Sequence, residues 1–243
     1  MSDARVLSAG VLIIGSLLWD KDRQRWRDER LDLTRSELVS VPIRYGRKSG
    51  KRRGHTYTMV FSRNAPAGSA RVVRCLHAIA SANDLITEAL KLWEAEALFL
   101  NTGRIAASWG CVALLCNPGR EIPIDLLTAW SERVNNEPDY GNVSQAAGEV
   151  SLISNEGMLH VDWPKRIEGG TAVDLDLLLA TANDPTFTGT PPSYPDVSTI
   201  VSAWNRAAQE HSEYFWRNLD HGITTFQDDE IRAGLRKRRE EGA

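Results

Sequence analysis

The hydrophobic pattern of this chain changes period along its length. Residues 6–18 form a nearly unbroken apolar run, the signature of a strand covered on both faces, interrupted at Gly15-Ser16. A glycine inside such a run costs order and packing. It marks a bend, or a close approach of another group to the backbone. DKDRQRWRDER, residues 20–30, reads as a charged connection. Residues 37–45, 56–62 and 70–80 are rich in β-branched and aromatic residues and predict three further strands. GRKSGKRRGH (46–55) and RNAPAG (63–68) between them carry loop and turn chemistry.

At residue 81 the period becomes helical. Leu85, Ala89, Leu92, Trp93 and Ala97 fall on one side of a helix predicted over 81–99, with Asn83 or Asp84 as its cap. Residues 108–117 return to a buried strand, stopped by Pro118-Gly119. Beyond it the pattern is mainly helical: residues 123–134, 173–182, 196–219 behind an Asp196 cap, and a charged helix over 227–241. A hairpin over 148–164 turns at Asn155-Glu156-Gly157, and residues 181–196 form a proline-rich loop. The expected fold class is therefore α+β. Residues 1–118 are strand-dominated, and 119–243 are a helix-rich extension packed on them or continuous with them.

Composition changes this picture little. The 243 residues are 42% apolar and 25% charged, enough for a sizeable core without staples. Residues 1–5 are polar, no leader is read there, and no apolar run approaches the roughly 18 residues of a membrane span. Cys75, Cys111 and Cys116 are an odd set in apolar surroundings with no CxxC pair, so they read as buried hydrophobes of a cytoplasmic protein. The five histidines are scattered and signal no metal site. No cofactor motif is present.

Charge distribution is more informative. The net charge is −3, yet residues 38–83 hold no acid and nine bases, among them Arg44, Arg47, Lys48 and Arg53. Residues 121–196 reverse the bias, with thirteen acids against Arg133, Lys165 and Arg166. The two halves attract, or the basic run meets an anion. With a pI of about 6.0 and no nucleic-acid motif, a nucleic acid is not the expected anion.

Two features carry candidate chemistry. Backbone N–H groups at a strand-end turn through Gly15-Ser16 can hold a carboxylate or phosphate, and the Ser16 hydroxyl adds a donor. GSLL lacks the second glycine of a nucleophile elbow, so a hydrolase serine is not supported. In LWEAEAL, Glu94 and Glu96 are two residues apart and cannot share a helix face. Glu96 falls nearer the apolar side, where a desolvated carboxylate can carry protons near neutral pH.

The order of these pieces resembles the gamma-glutamylcyclotransferase-like family. In that family an early strand ends in a Tyr-Gly-Ser-Leu type turn, a later helix carries a Leu-Asp-x-x-Glu pattern, and a further strand closes a small barrel. Here the turn is Ile14-Gly15-Ser16-Leu17 and the helix reads Leu92-Trp93-Glu94-Ala95-Glu96, within a match over roughly residues 9–117. The resemblance implies a small mixed β-barrel over 1–118, and the mostly helical extension has no counterpart in it. It implies an enzyme that releases 5-oxoproline from a gamma-glutamyl amine or peptide without metal or cofactor. Glu96 would be the acid/base, with Glu94 as the second candidate. Ile14, Gly15, Ser16, Leu17 and Arg44 would bind the anionic substrate. Ile14 and Trp93 replace the family's tyrosine and aspartate. That favours an alternative reading, in which a non-catalytic member binds a metabolite, or a protein partner through the tryptophan-bearing extension.

Overall fold

The computed structural model describes residues 5–98, 103–141, 151–207 and 209–241. The expectations for residues 1–4, the helix end at Phe99, hairpin residues 148–150 and the side chain of His211 lie outside the described part. Among the described residues there are eight strands and six α-helices. The strands are β1 (Ala9–Ile13), β2 (Leu31–Lys48), β3 (Tyr57–Phe61), β4 (Ala67–Cys75), β5 (Ala106–Ala107), β6 (Gly110–Cys116), β7 (Lys165–Arg166) and β8 (Leu177–Asn183). The helices are α1 (Gln24–Arg30), α2 (Ala82–Glu96), α3 (Ile124–Asn135), α4 (Val197–Arg206), α5 (Gln209–Asp220) and α6 (Asp228–Glu241).

The strands form one mixed sheet in the order β3-β2-β4-β1-β8-β6-β5, with β7 added against β2. β1 and β8 run parallel, and the other pairs are antiparallel. Among the described residues β3 and β5 end the sheet without pairing to each other, so the fold is α+β with an open sheet rather than a closed barrel.

Side-chain alternation sorts the sheet into two cores. Val11, Ile13, Val112, Leu114, Leu177 and Leu179 point to one face, which α2 and α3 cover with Leu85, Ala89, Leu92, Trp93, Leu126 and Trp130. Leu12, Cys111, Ala113, Leu178 and Ala180 point to the other, which α4, α5 and α6 cover with Ile200, Trp204, Phe215 and Ile231. Each large apolar side chain buried this way stabilises by about 1.5–3 kcal/mol. With helices on both faces, the central strands need no polar side. That is why β1, β6 and β8 read as continuous apolar runs.

This arrangement corrects the helix expected over 173–182. Those leucines favour a helix locally, but between β1 and β6 they form β8. A residue 118 boundary would cut through the sheet, since β8 sits at its centre. The helix over 196–219 is two helices separated at Ala207. Residues 20–30, read as a connection, contain α1. Asp196 caps α4 as expected, accepting from the Thr199 amide at 2.7 Å. α2 is capped by Ser81 instead of Asn83 or Asp84, and Asp84 takes the third position of a capping box.

The start of α6 holds a buried carboxylate. Asp228 is 4% exposed, and its Oδ1 accepts from Thr225 Oγ1 at 2.6 Å. Among the described residues its Oδ2 has no hydrogen-bond partner. Burial pushes its pKa up to about 6, against the pull of the Thr225 hydrogen bonds. A carboxyl raised in the folded state stabilises while protonated. That contribution is complete below the unfolded value near 4 and is lost as pH rises through about 6. The loss is on the order of 2–3 kcal/mol. Asp228→Asn keeps the Oδ1 acceptor without the charge. It is expected to raise the unfolding free energy at pH 7.5 by about 1–3 kcal/mol and at pH 4.5 by only about a third of that, as read by urea unfolding at the two pH values.

Candidate active site

After β1 the chain turns through Gly15 into a short 3-10 turn, Ser16–Leu18, closed by Leu18 N–H donating to Gly15 O at 3.2 Å. The amides of Ser16 and Leu17 precede the first hydrogen bond of that turn and have no acceptor within it. Ile14 packs into one core and Leu17 into the other, so the turn crosses the end of the sheet.

What approaches the backbone at Gly15 is Tyr214 of α5. A Cβ on residue 15 would stand 2.6 Å from the Tyr214 hydroxyl oxygen. The Tyr214 ring is braced edge-on by Trp19, with centroids 5.8 Å apart, and lies 6.1 Å from the ring of Trp204. Its Oη accepts from the Met59 amide at 3.4 Å. Gly15→Ala is therefore expected to cost about 1–3 kcal/mol by overpacking. The cost should shrink in a Tyr214→Phe background, where the clashing oxygen is gone. Urea unfolding of the four proteins checks this.

α2 delivers the acid. Its apolar side packs on the sheet, and Glu96 is its last residue. A cavity of about 250 Å³ is lined by Ile14, Gly15, Ser16, Leu17, Glu96 and Tyr214, together with Arg47, Arg53, Trp109 and Asn183. A register shift between Tyr45 and Arg47 marks a bulge at Gly46, after which Arg47 stands opposite Thr58. The Arg47 guanidinium lies 4.6 Å from the Trp109 ring centroid, and Trp109 stacks at 4.7 Å on Trp93. Trp93 is thus a buried support for the cavity wall. Desolvation lowers the Arg47 pKa, and the Glu96 and Asp184 carboxylates oppose that shift. Burial pushes the Tyr214 phenol up, so it is protonated at neutral pH.

Five of the seven expected site residues therefore share one cavity: Ile14, Gly15, Ser16, Leu17 and Glu96. Glu94 does not line it. Two residues before Glu96, it turns aside and pairs with Lys91 Nζ at 2.7 Å. Arg44 is also elsewhere, with its guanidinium 4.2 Å from the Tyr194 ring centroid. The bases that do line the cavity, Arg47 and Arg53, come from the same basic run. Asn183 and Tyr214 come from the C-terminal half, where the sequence carried no signal for them. Among the described residues no three His, Cys, Asp or Glu side chains gather as metal ligands, and no helix is long and apolar enough to cross a membrane. Comparisons with protein-family models, curated proteins and solved structures find no match.

The arrangement is one carboxylate, two guanidinium groups, a protonated phenol and a backbone turn in a small cavity. It can hold a compact zwitterion. The guanidinium groups suit an anionic end, and the carboxylate suits an amine that must lose and return a proton.

Proposed function

We propose that this protein is a gamma-glutamylcyclotransferase-like enzyme, its open sheet a divergent form of that family's barrel. The substrate is a small anionic gamma-glutamyl amine or peptide. Its α-carboxylate sits against Arg47 and the amides of the turn, with the α-amine at Glu96. Glu96 takes a proton from the amine as it attacks the γ-carbonyl carbon and returns it to the departing nitrogen. 5-Oxoproline and a free amine leave. The observation that supports this reading best is the shared cavity of Glu96 and the Gly15-Ser16 turn, with Arg47 and Arg53 in its wall. Ligand pockets for drug-sized molecules run to about 300–1,000 Å³, so a cavity of about 250 Å³, just below that range, suits an amino-acid-sized group.

The test is incubation of the purified protein with a panel of gamma-glutamyl peptides and amines, with 5-oxoproline read by mass spectrometry. Turnover of at least one member is expected. Tight binding of 5-oxoproline or of the panel with no turnover would replace the enzyme by a metabolite-binding module.

A further inference from the structure

Tyr214 stands in the cavity although the reaction as written gives it no task. Its Oη lies against the Gly15 backbone, in the same cavity as Glu96, and the Glu96 carboxylate is near enough to raise the phenol's pKa. The oxygen accepts from the Met59 amide, which leaves the hydroxyl's own proton for an acceptor in the cavity. Behind it Asn218 is fully buried, and its Oδ1 accepts from Trp19 Nε1 at 2.8 Å. Its Nδ2 has no hydrogen-bond partner among the described residues, and the amide acts on both Tyr214 and Tyr45 to lower their pKa values. With Trp19 bracing the ring and Asn218 fixed to Trp19, the phenol has little freedom to turn away.

Resting on the proposed cyclisation, we infer that Tyr214 is a further catalytic residue: its hydroxyl, positioned by Asn218, donates to the oxyanion that forms on the γ-carbonyl during ring closure. The neutral α-amine forms a bond to the carbonyl carbon, and the carbonyl π pair moves onto oxygen. Glu96 takes the proton from the attacking nitrogen. When the oxyanion collapses, the bond to the leaving nitrogen breaks and Glu96 protonates that nitrogen. Tyr214 keeps its proton throughout and only shares it, as a fixed donor aimed at developing charge does. The C-terminal half therefore contributes to the chemistry as well as to the core.

The experiment compares wild type, Tyr214→Phe, Asn218→Ala and the double variant in steady-state turnover, with thermal melts confirming the fold. Tyr214→Phe keeps the ring between its indole neighbours. It is expected to lower kcat by about 100-fold or more with KM within about threefold, as loss of one oxyanion donor does. Asn218→Ala is expected to lower kcat also, and the double variant to be no slower than Tyr214→Phe, because both act through one hydroxyl. A Tyr214→Phe enzyme with wild-type kcat overturns the inference and leaves the reaction standing. A folded wild type that turns over no panel member overturns the reaction and this inference together. If Asn218→Ala fails to fold, the Tyr214→Phe ratio alone decides on the donor. Full multiplicativity in the double variant removes Asn218 from the positioning role.

Discussion

Glu96→Gln is expected to lower kcat for 5-oxoproline release by about 10²–10⁴-fold, the span by which a positioned acid/base accelerates proton transfer. KM should change little, because the proposed reaction rests the substrate's anionic end on Arg47 and the turn. The amide has nearly the same shape as the carboxylate, so the cavity wall is preserved. What is lost is the ability to take a proton from one nitrogen and give it to another. Glu94→Gln is the matched control. Glu94 sits on the same helix, paired with Lys91 outside the cavity, so turnover should stay at the wild-type level. Steady-state kinetics of the two variants separate a catalytic carboxylate from a general effect of charge on α2.

The largest stability effect is expected at Glu137, which does not line the cavity. Its side chain is 1% exposed and ion-pairs with Arg104 Nε at 2.8 Å and with Arg133. Its Oε2 also accepts from the buried Ile105 amide at 3.2 Å. Glu137→Ala leaves that amide without its acceptor, Arg133 without its carboxylate and Arg104 with only the more exposed Asp139. Breaking a buried pair from one side costs about 3–5 kcal/mol. For a domain of this size that corresponds to a fall in Tm of about 10 °C, measurable by circular dichroism. The contact ties the end of α3 to the chain just before β5. The same variant should therefore loosen the β5–β6 edge in hydrogen exchange before the central strands.

The N-terminal half was legible because its signals are local. The apolar run with a glycine near its end, the alternation of β3 and β4 and the 3.6-residue spacing of α2 each fix a single element. The basic run pointed to an anion, though Arg47 and Arg53, and not Arg44, are the members that line the cavity. Arg47 reaches the side of Thr58 only through a bulge at Gly46, which no periodicity marks. β8 stands where a helix is expected for a physical reason: a short leucine-rich run buried on all sides carries no period to tell strand from helix. Only its position between β1 and β6 decides, and that is set by residues more than sixty positions away in β6 and more than a hundred and sixty away in β1. Tyr214 was invisible for the same reason, since nothing local to α5 says that its ring will reach Gly15. The glycine did carry half of the message. It announced that something pressed on the backbone without naming it.

The central claim is tested most directly by the fate of the substrate's α-nitrogen. A gamma-glutamyl peptide labelled with nitrogen-15 at that position is incubated with the protein, and the products are read by NMR and mass spectrometry. The account requires the label to appear in the ring amide of 5-oxoproline, with the unlabelled amine released in equal amount. Label recovered in free glutamate, or remaining entirely in intact substrate, would contradict it.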